Sequence, residues 1–413
     1  MRKTFLMLLA SVVLFPTEGA GQTARRAEPT ELAVRAERLH TMTGDPIEKG
    51  VVLFRDGRIQ AVGRAEEVAI PAGVRVVHAA VAMPGIIDAH ATVGLTGYLN
   101  QPQDQDQLDR SEAIQPELRA IDAYNSRERL VAWVRSFGIT TLHTGHAPGM
   151  LVSGQTMIVK TVEGGGDGAV VKPFAMIAVT LGDGALRKEG KSPGTRSKAV
   201  AMLREAFIAA RRYQRDRERK SDEDAPERDL RKEALVRALT GEVPLLVTAH
   251  RQRDIMAALR LAREFSVRIV LDGASEAYLV EPEIKAAGVP VIVHPPMMRA
   301  RGEKENAGMD LASRLSRAGI PFAFQSGFEG YVPKTRVVLF EAAIAASYGL
   351  GSEAALNALT IGAARILGID ERVGSLAPGK DADLALFDGD PLEYTTHCTG
   401  TIIDGRMVFS GRR

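Results

Sequence analysis

The sequence predicts an α/β protein: a (β/α)8, TIM-like barrel carrying a small composite β-sandwich built from both ends of the chain. Three observations predict it. Strand-like and helix-like segments alternate through the middle of the chain, the pattern of a parallel sheet with crossover helices. Hairpin signals of one kind stand near both termini, and termini often lie close together. A short apolar run, Gly85-Ile86-Ile87, passes straight into Asp88-Ala89-His90. A barrel strand does the same when it buries its body and presents chemistry at its C-terminal end.

Taken in order, the chain opens with Arg2 and Lys3, then the apolar run Phe5 to Phe15, then Pro16 and small residues through Gly21. The run is too short to span a bilayer and has the layout of an export signal over 1–21, with the mature N-terminus between Gly21 and Arg25. A periplasmic or secreted protein without a stable membrane anchor is therefore expected. The single cysteine, Cys398, excludes an intramolecular disulfide framework and a cysteine-rich metal site.

Residues 30–82 read as all-β. Val51 to Phe54 runs through Asp56-Gly57 into Arg58 to Gly63, and Val74 to Val77 adds a strand. The same pattern returns over residues 373–413, where Ala382 to Phe387 is a strand and Thr401 to Ile403 turns through Asp404-Gly405 into Met407 to Phe409. The two segments are expected to complete one β-sandwich, with Lys380, Asp381 and Asp383 as turn and strand-entry residues.

Between them, 83–372 reads as the barrel. Ile139 to Leu142, Pro244 to Val247, Arg268 to Leu271, Val289 to Val293 and Pro321 to Phe324 are short apolar or β-branched runs after Gly or Pro breaks. The segments before or between them, such as Ser126 to Phe137 and Asp254 to Glu264, are helical. Lys198 to Arg219 is a long helix that leads into a mixed-sign run to Glu233. Interleaved acids make that run a solvated helix end and loop rather than a nucleic-acid patch. The net charge of +2 likewise gives no global field for nucleic acid or acidic membranes. Gly164 to Gly168 lacks the Lys-Ser/Thr of a phosphate loop and reads as a hairpin or loop. At 413 residues and 45% hydrophobic composition, one barrel with an accessory domain fits better than three domains.

The stretch Met83 to Leu95, MPGIIDAHATVGL, resembles the first barrel strand of the amidohydrolase superfamily, PG-φ-IDxHxH. VGSLAPGKDADLALFDGDPL, from Val373 to Leu392, resembles the C-terminal signature of the same superfamily. SGQTMIVKT (Ser153 to Thr161), KSPGTRSKAVAMLREAF (Lys191 to Phe207) and AHRQRDIMAALRLAREF (Ala249 to Phe265) are similar to its exported, imidazolonepropionase-like branch. The resemblance implies a metal-dependent hydrolase of C–N bonds in amides or cyclic amides, acting on a small molecule. Its members use the HxH pair of strand 1, histidines from strands 5 and 6, and an aspartate from strand 8. Many add a bridging lysine or glutamate, for which Lys160 and Lys172 are candidates, although solvent or loop contacts are the simpler reading of both.

Residue by residue, that set is incomplete. His90 keeps the first histidine and Thr92 stands for the second; His250 keeps strand 5; Gly273 stands for the strand 6 histidine and Gly327 for the strand 8 aspartate. Glycine has no ligand atom and threonine is a weak ligand for zinc-like ions, so the two-metal mechanism is not expected. Of the eight histidines, His90, His143, His146, His250 and His294 fall at expected strand ends, while His40, His78 and His397 fall in the accessory domain. A barrel gathers strand ends at one mouth, and three imidazoles suffice for one catalytic zinc. The candidate metal ligands are therefore His90, His250, His143, His146 and His294, for at most one divalent ion. His90, His250 and Glu276 are the candidate catalytic residues, with Glu276 as general base. Asp88 is expected to orient His90, and Asp272 is a further nearby acid. Three functions remain open: a C–N hydrolase with a rearranged site, a ligand-binding or scaffold barrel, and a metal-free lyase or isomerase. Fold does not decide among them.

Overall fold

The structure is a computed structural model that describes residues 31–411 except 100, 165, 188–189, 220–223 and 330–334. The expected export signal, one residue of the Gly164 to Gly168 run and part of the charged run after Arg219 lie outside the described residues.

The N-terminal segment forms β1 (Glu31–Leu39), β2 (Ile47–Arg55), β3 (Arg58–Arg64) and β4 (Arg75–Pro84). Barrel strands follow: β5 (Ile86–Ala91), β6 (Ile139–Gly145), β7 (Val152–Lys160) with the short arm β8 (Val170–Lys172), and β9 (Ile177–Thr180). Next come β10 (Leu245–Ala249), β11 (Ile269–Gly273), β12 (Val291–Val293) and β13 (Phe322–Ala323). The chain ends with β14 (Leu384–Phe387), β15 (Cys398–Ile403) and β16 (Arg406–Ser410).

The two ends make one continuous seven-stranded sheet, ordered β16-β15-β14-β4-β1-β2-β3. Its hairpins turn at Asp56-Gly57 and Asp404-Gly405, where all four residues have positive φ. Asn-Gly and Asp-Gly pairs suit that backbone, whose twist matches the flanking strands. The sheet curls until the two turns meet: a Cβ added at Gly405 would lie 3.2 Å from the Gly57 Cα. Leu32, Val34, Val52 and Phe54 thereby pack with Leu384, Leu386 and Ile402.

The barrel sheet runs β13-β12-β11-β10-β9-β7-β6-β5. Two hydrogen bonds, Ala89 N–H to the Phe324 carbonyl (3.0 Å) and Gly327 N–H to the His90 carbonyl (3.0 Å), join its two ends into a ring. Outside lie α1 (Arg129–Arg135), α2 (Arg196–Arg219), α3 (Leu230–Leu239), α4 (Gln252–Phe265), α5 (Glu281–Ala287), α6 (Leu311–Ala318), α7 (Val338–Ala345), α8 (Ser352–Ala358) and α9 (Ile361–Leu367). In α4 the buried Ile255, Ala258, Leu261 and Phe265 recur at helical spacing, and Ser266 ends the helix in a left-handed conformation. In α2 the buried stripe is Ala199, Leu203, Phe207, Ala210 and Tyr213, while Ile208 faces solvent.

One strand departs from the parallel pattern. β7 is antiparallel to both β6 and β9. The reason is chain length: Gly145 and Val152 are joined by His146 to Leu151, too short for the dozen or more residues that a parallel crossover needs. The C-terminal end of β7 is therefore at the opposite end of the barrel from the C-terminal ends of its neighbours. Lys160 pairs with Thr141, near the start of β6, and meets the C-terminal segment there. Its buried ammonium contacts Asp381 at 2.7 Å, Asp383 at 3.1 Å, and Asp404. Lys160 is thus a clamp between the barrel and the composite sheet and has no part in a bridge at the mouth. Lys172 donates to the carbonyls of Leu367 and Gly368 at the end of α9, a capping contact.

Candidate active site at the barrel mouth

Strand alternation builds the site. Leu246, Val270, Ile292 and Ala323 share one apolar cluster with Ile87 and Ile158, one residue from each of several barrel strands. Neighbours in that layer are in register, as for Ile292 with Ala323. Two residues further along each strand, the same inward side carries Thr248, Asp272, His294 and Gln325. With His90 and His250 these line one cavity at the C-terminal mouth, rimmed by Met298, Lys304, Phe328 and Glu329. Its volume is about 30 Å³, room for one or two waters.

Asp272 is its centre. Oδ1 accepts from His90 Nδ1 (3.0 Å) and Gln325 Nε2 (2.7 Å), and Oδ2 accepts from Thr248 Oγ1 (2.5 Å). Burial acts to raise the Asp272 pKa, but the His90 charge and these three donors outweigh it and hold the carboxyl well below its ordinary range. Burial acts to lower His90, and Asp272 outweighs it, so His90 is pushed up. His90 and Asp272 are a buried ion pair, with His90 Nε2 buried and without a protein partner.

His294 has the opposite character. Its Nδ1 donates to the Pro295 carbonyl at 3.0 Å, which leaves the buried, unpartnered Nε2 with a lone pair. Burial and the Lys304 charge lower its pKa. His250 Nδ1 lies 2.9 Å from Ser275 Oγ, and burial, with Lys304, lowers its pKa to about 3.

The other expected residues are placed elsewhere. His143 is fully buried beside His90, ring centroids 5.9 Å apart. Its Nδ1 donates to the Ala89 carbonyl and its Nε2 accepts from Thr156 Oγ1, both at 2.6 Å, so it has no nitrogen to spare. Burial lowers its pKa to about 3. His146 packs against Gly154 and does not line the cavity. Glu276 accepts from Gln252 N–H (2.7 Å) and Asn306 Nδ2 (2.7 Å), so it ties the start of α4 in place and does not line the cavity. Asp88 does not orient the His90 ring: it accepts from the Ser326 N–H (2.9 Å) and is raised by burial to about 6. Asp272 orients the ring instead.

Both glycines have backbone reasons. Gly273 has φ +77°, and a Cβ there would sit 2.4 Å from His250 Cε1, so His250 fills the space a side chain at 273 would need. Gly327 has φ +64° and makes the hydrogen bond to His90 that joins the ends of the barrel sheet. Thr92 accepts from Thr96 Oγ1 and lines a separate cavity of about 20 Å³.

The metal set that the resemblance implies does not fit this arrangement. Among the described residues, no three His, Cys, Asp or Glu side chains are grouped so as to hold an ion. Both Asp272 oxygens and both His143 nitrogens are already engaged. What the arrangement can do is move protons, because it faces an imidazolium-favouring histidine across one cavity from histidines held neutral.

Residues 255–408 match the model of the amidohydrolase family. The amidohydrolase tasK of Hapsidospora irregularis is 27% identical over 356 residues, 79% of this chain and 36% of that protein. The imidazolonepropionase of Shewanella sp. (strain MR-4) is 35% identical over 141 residues, 32% of this chain and 34% of that protein. The chain thus spans about a third of the length of these curated relatives. The crystal structure of an amidohydrolase from Thermotoga maritima MSB8 superposes with a TM-score of 0.87 at 26% identity, covering 92% of this chain and 100% of that one.

Proposed function

The family model, the relatives and the fold support membership of the amidohydrolase superfamily, and from that premise we propose that the chain hydrolyses a C–N bond, other than a peptide bond, in a small amide or cyclic amide. The observation that carries the reading is the unlike pairing of two histidines on one cavity: His90 on the Asp272 carboxylate, His294 on a backbone carbonyl. The superfamily typically uses a divalent metal. The donors here do not assemble one, and the steps below use only the chain's own groups.

His294 Nε2 takes a proton from water as the water oxygen adds to the carbonyl carbon. His90, held as an imidazolium by Asp272, donates its Nε2 proton to the leaving nitrogen as the C–N bond breaks. Water's elements end on the acid and the amine, and a proton passing from His294 to His90 restores the start. Lys304 on the rim is placed to favour negative charge on the oxygen. A cavity of about 30 Å³ admits substrate only when rim side chains such as Met298 and Phe328 shift.

The test is a screen of amides, cyclic amides and dipeptides with product masses, alongside elemental analysis. The reading expects water added to a non-peptide substrate, less than one equivalent of metal per chain, and loss of turnover in His90→Gln and His294→Gln. Product of unchanged mass would move the pair to isomerisation. No turnover, with retained binding of small amides, would make the protein a binding barrel. Activity that a chelator abolishes and zinc restores would overturn the metal-free steps.

We also propose export, on the strength of Arg2-Lys3 followed by Phe5 to Phe15. Mass spectrometry of the periplasmic or secreted fraction should find an N-terminus between Gly21 and Arg25, and intact Met1 there would refute it. Among the described residues no helix is long and apolar enough to cross a membrane.

A further inference from the structure

Two voids far larger than the histidine cavity lie at the other end of the barrel. A cavity of about 670 Å³ opens beside the N-terminal ends of β10, β11 and β12. A second, of about 1000 Å³, opens beside the starts of β12 and β13, and the two share Gly288, Pro290 and Ile366. Together they make one trough running from α4 to α8. Its α4 end has a floor of buried Val267, Ile269, Val270 and Val289. Beyond Ile366 the wall continues with Ile320, Phe322 and Ala358.

The charge along this trough is uneven. Arg260 and Arg263, one turn apart on α4, and Arg268 before β11 line the first cavity, faced by Glu283. Arg365 and Glu353 line the second. Arg268 is pinned by the carbonyls of Gly241 and Glu242. The guanidinium groups of Arg260, Arg263 and Arg365 enter no ion pair among the described residues, unlike Arg204 and Arg231 on nearby helices, which do. Four guanidiniums against two carboxylates, over an apolar floor, select an anion with an apolar body.

We propose that this trough binds a single-chain amphiphile with an anionic head, the head on Arg260, Arg263 and Arg268 and the chain along Ile366 toward Phe322. Carboxylate and phosphate monoester heads share the required chemistry. The site is independent of the histidine cavity, since it occupies the opposite end of the barrel.

Isothermal titration calorimetry of the full chain with octanoate, octyl phosphate, inorganic phosphate and octanol tests it. At least one octyl anion should bind, and its identity distinguishes the head group. Octanol and inorganic phosphate should each bind at least about tenfold more weakly than that anion, since each lacks half of the recognition. The exposed double variant Arg260→Glu/Arg263→Glu should lose affinity by about tenfold or more with an unchanged melting temperature. Arg365→Glu provides a second variant on a different helix and should weaken the same anion. Equal binding of octanol and the octyl anions, unaltered affinity in both variants, or no binding of either octyl anion would overturn the proposal.

Discussion

The two ends of the barrel use polar residues in opposite ways. At the C-terminal mouth His90, His250, His294 and Asp272 are buried and each is held by at least one hydrogen bond, with Asp272 alone receiving three side-chain donors around a cavity of about 30 Å³. At the N-terminal end the arginines are exposed, three of them enter no ion pair among the described residues, and the adjoining space is larger by more than an order of magnitude. A buried group loses solvation and needs fixed partners, so its protonation state is set by geometry. An exposed guanidinium keeps its water and needs none. The contrast supports the proton chemistry we propose for the mouth and the anion site we propose for the far end.

Substitutions can break this contrast, and the largest effect belongs to Asp272. Asp272→Ala leaves His90 buried without its counter-ion and should cost about 3–5 kcal/mol of stability in denaturant unfolding, with loss of turnover. Asp272→Asn keeps the shape and should fold better while still losing turnover. Lys160→Met comes next. It strands Asp383, already raised by burial to about 6, and partly Asp381, which retains Arg372. About 2–4 kcal/mol should be lost, less at pH 5 than at pH 8, because protonating Asp383 relieves the cost. Gly273→Ala should cost about 1–3 kcal/mol through its positive φ and the approach to His250. The smallest effect is expected at the far end, where Arg260→Glu/Arg263→Glu should change stability by less than about 0.5 kcal/mol.

The pH dependence sharpens the contrast. His143 and His250 have folded pKa values depressed to about 3, below the ordinary histidine value of 6.5. Each contributes stability that is present above 6.5 and is lost as the pH falls from 6.5 towards 3, by about 1.4 kcal/mol per pH unit. His90 is raised, so its contribution is present below 6.5 and lost as the pH rises through its folded pKa. In chemical unfolding between about pH 4 and 6, His250→Asn should flatten the slope by one proton's worth. An unchanged slope would mean that His250 titrates normally.

The sequence carried the barrel and its composite sheet because both rest on local signals: short apolar strands after Gly or Pro breaks, and Asp-Gly pairs at the hairpin turns. It carried the inward placement of His90 and His250 through motif position. The antiparallel β7 was written in the six residues between Gly145 and Val152, a connection too short for a crossover, and that strand's direction decides where Lys160 lies. The partner of His90 was harder to read. Asp88 is two residues away in sequence, whereas Asp272 reaches the ring from a strand 182 residues further on. The usable signal was alternation: Thr248, Asp272, His294 and Gln325 each stand two residues beyond an inward apolar position. Gly273 and Gly327 gave no such signal, because a glycine required by positive φ looks the same in sequence as a lost ligand.

In the function we propose, the His90–Asp272 ion pair, facing a neutral His294, is the reactive pair of the mouth. Histidine-selective 15N NMR between about pH 4 and 9, assigned with His90→Gln and His294→Gln, measures it directly. His90 should remain doubly protonated beyond pH 6.5, and His294 should keep a bare Nε2 below it. A neutral His90 throughout, or joint shifts of His90, His250 and His294 saturating at one equivalent of added zinc, would contradict the account.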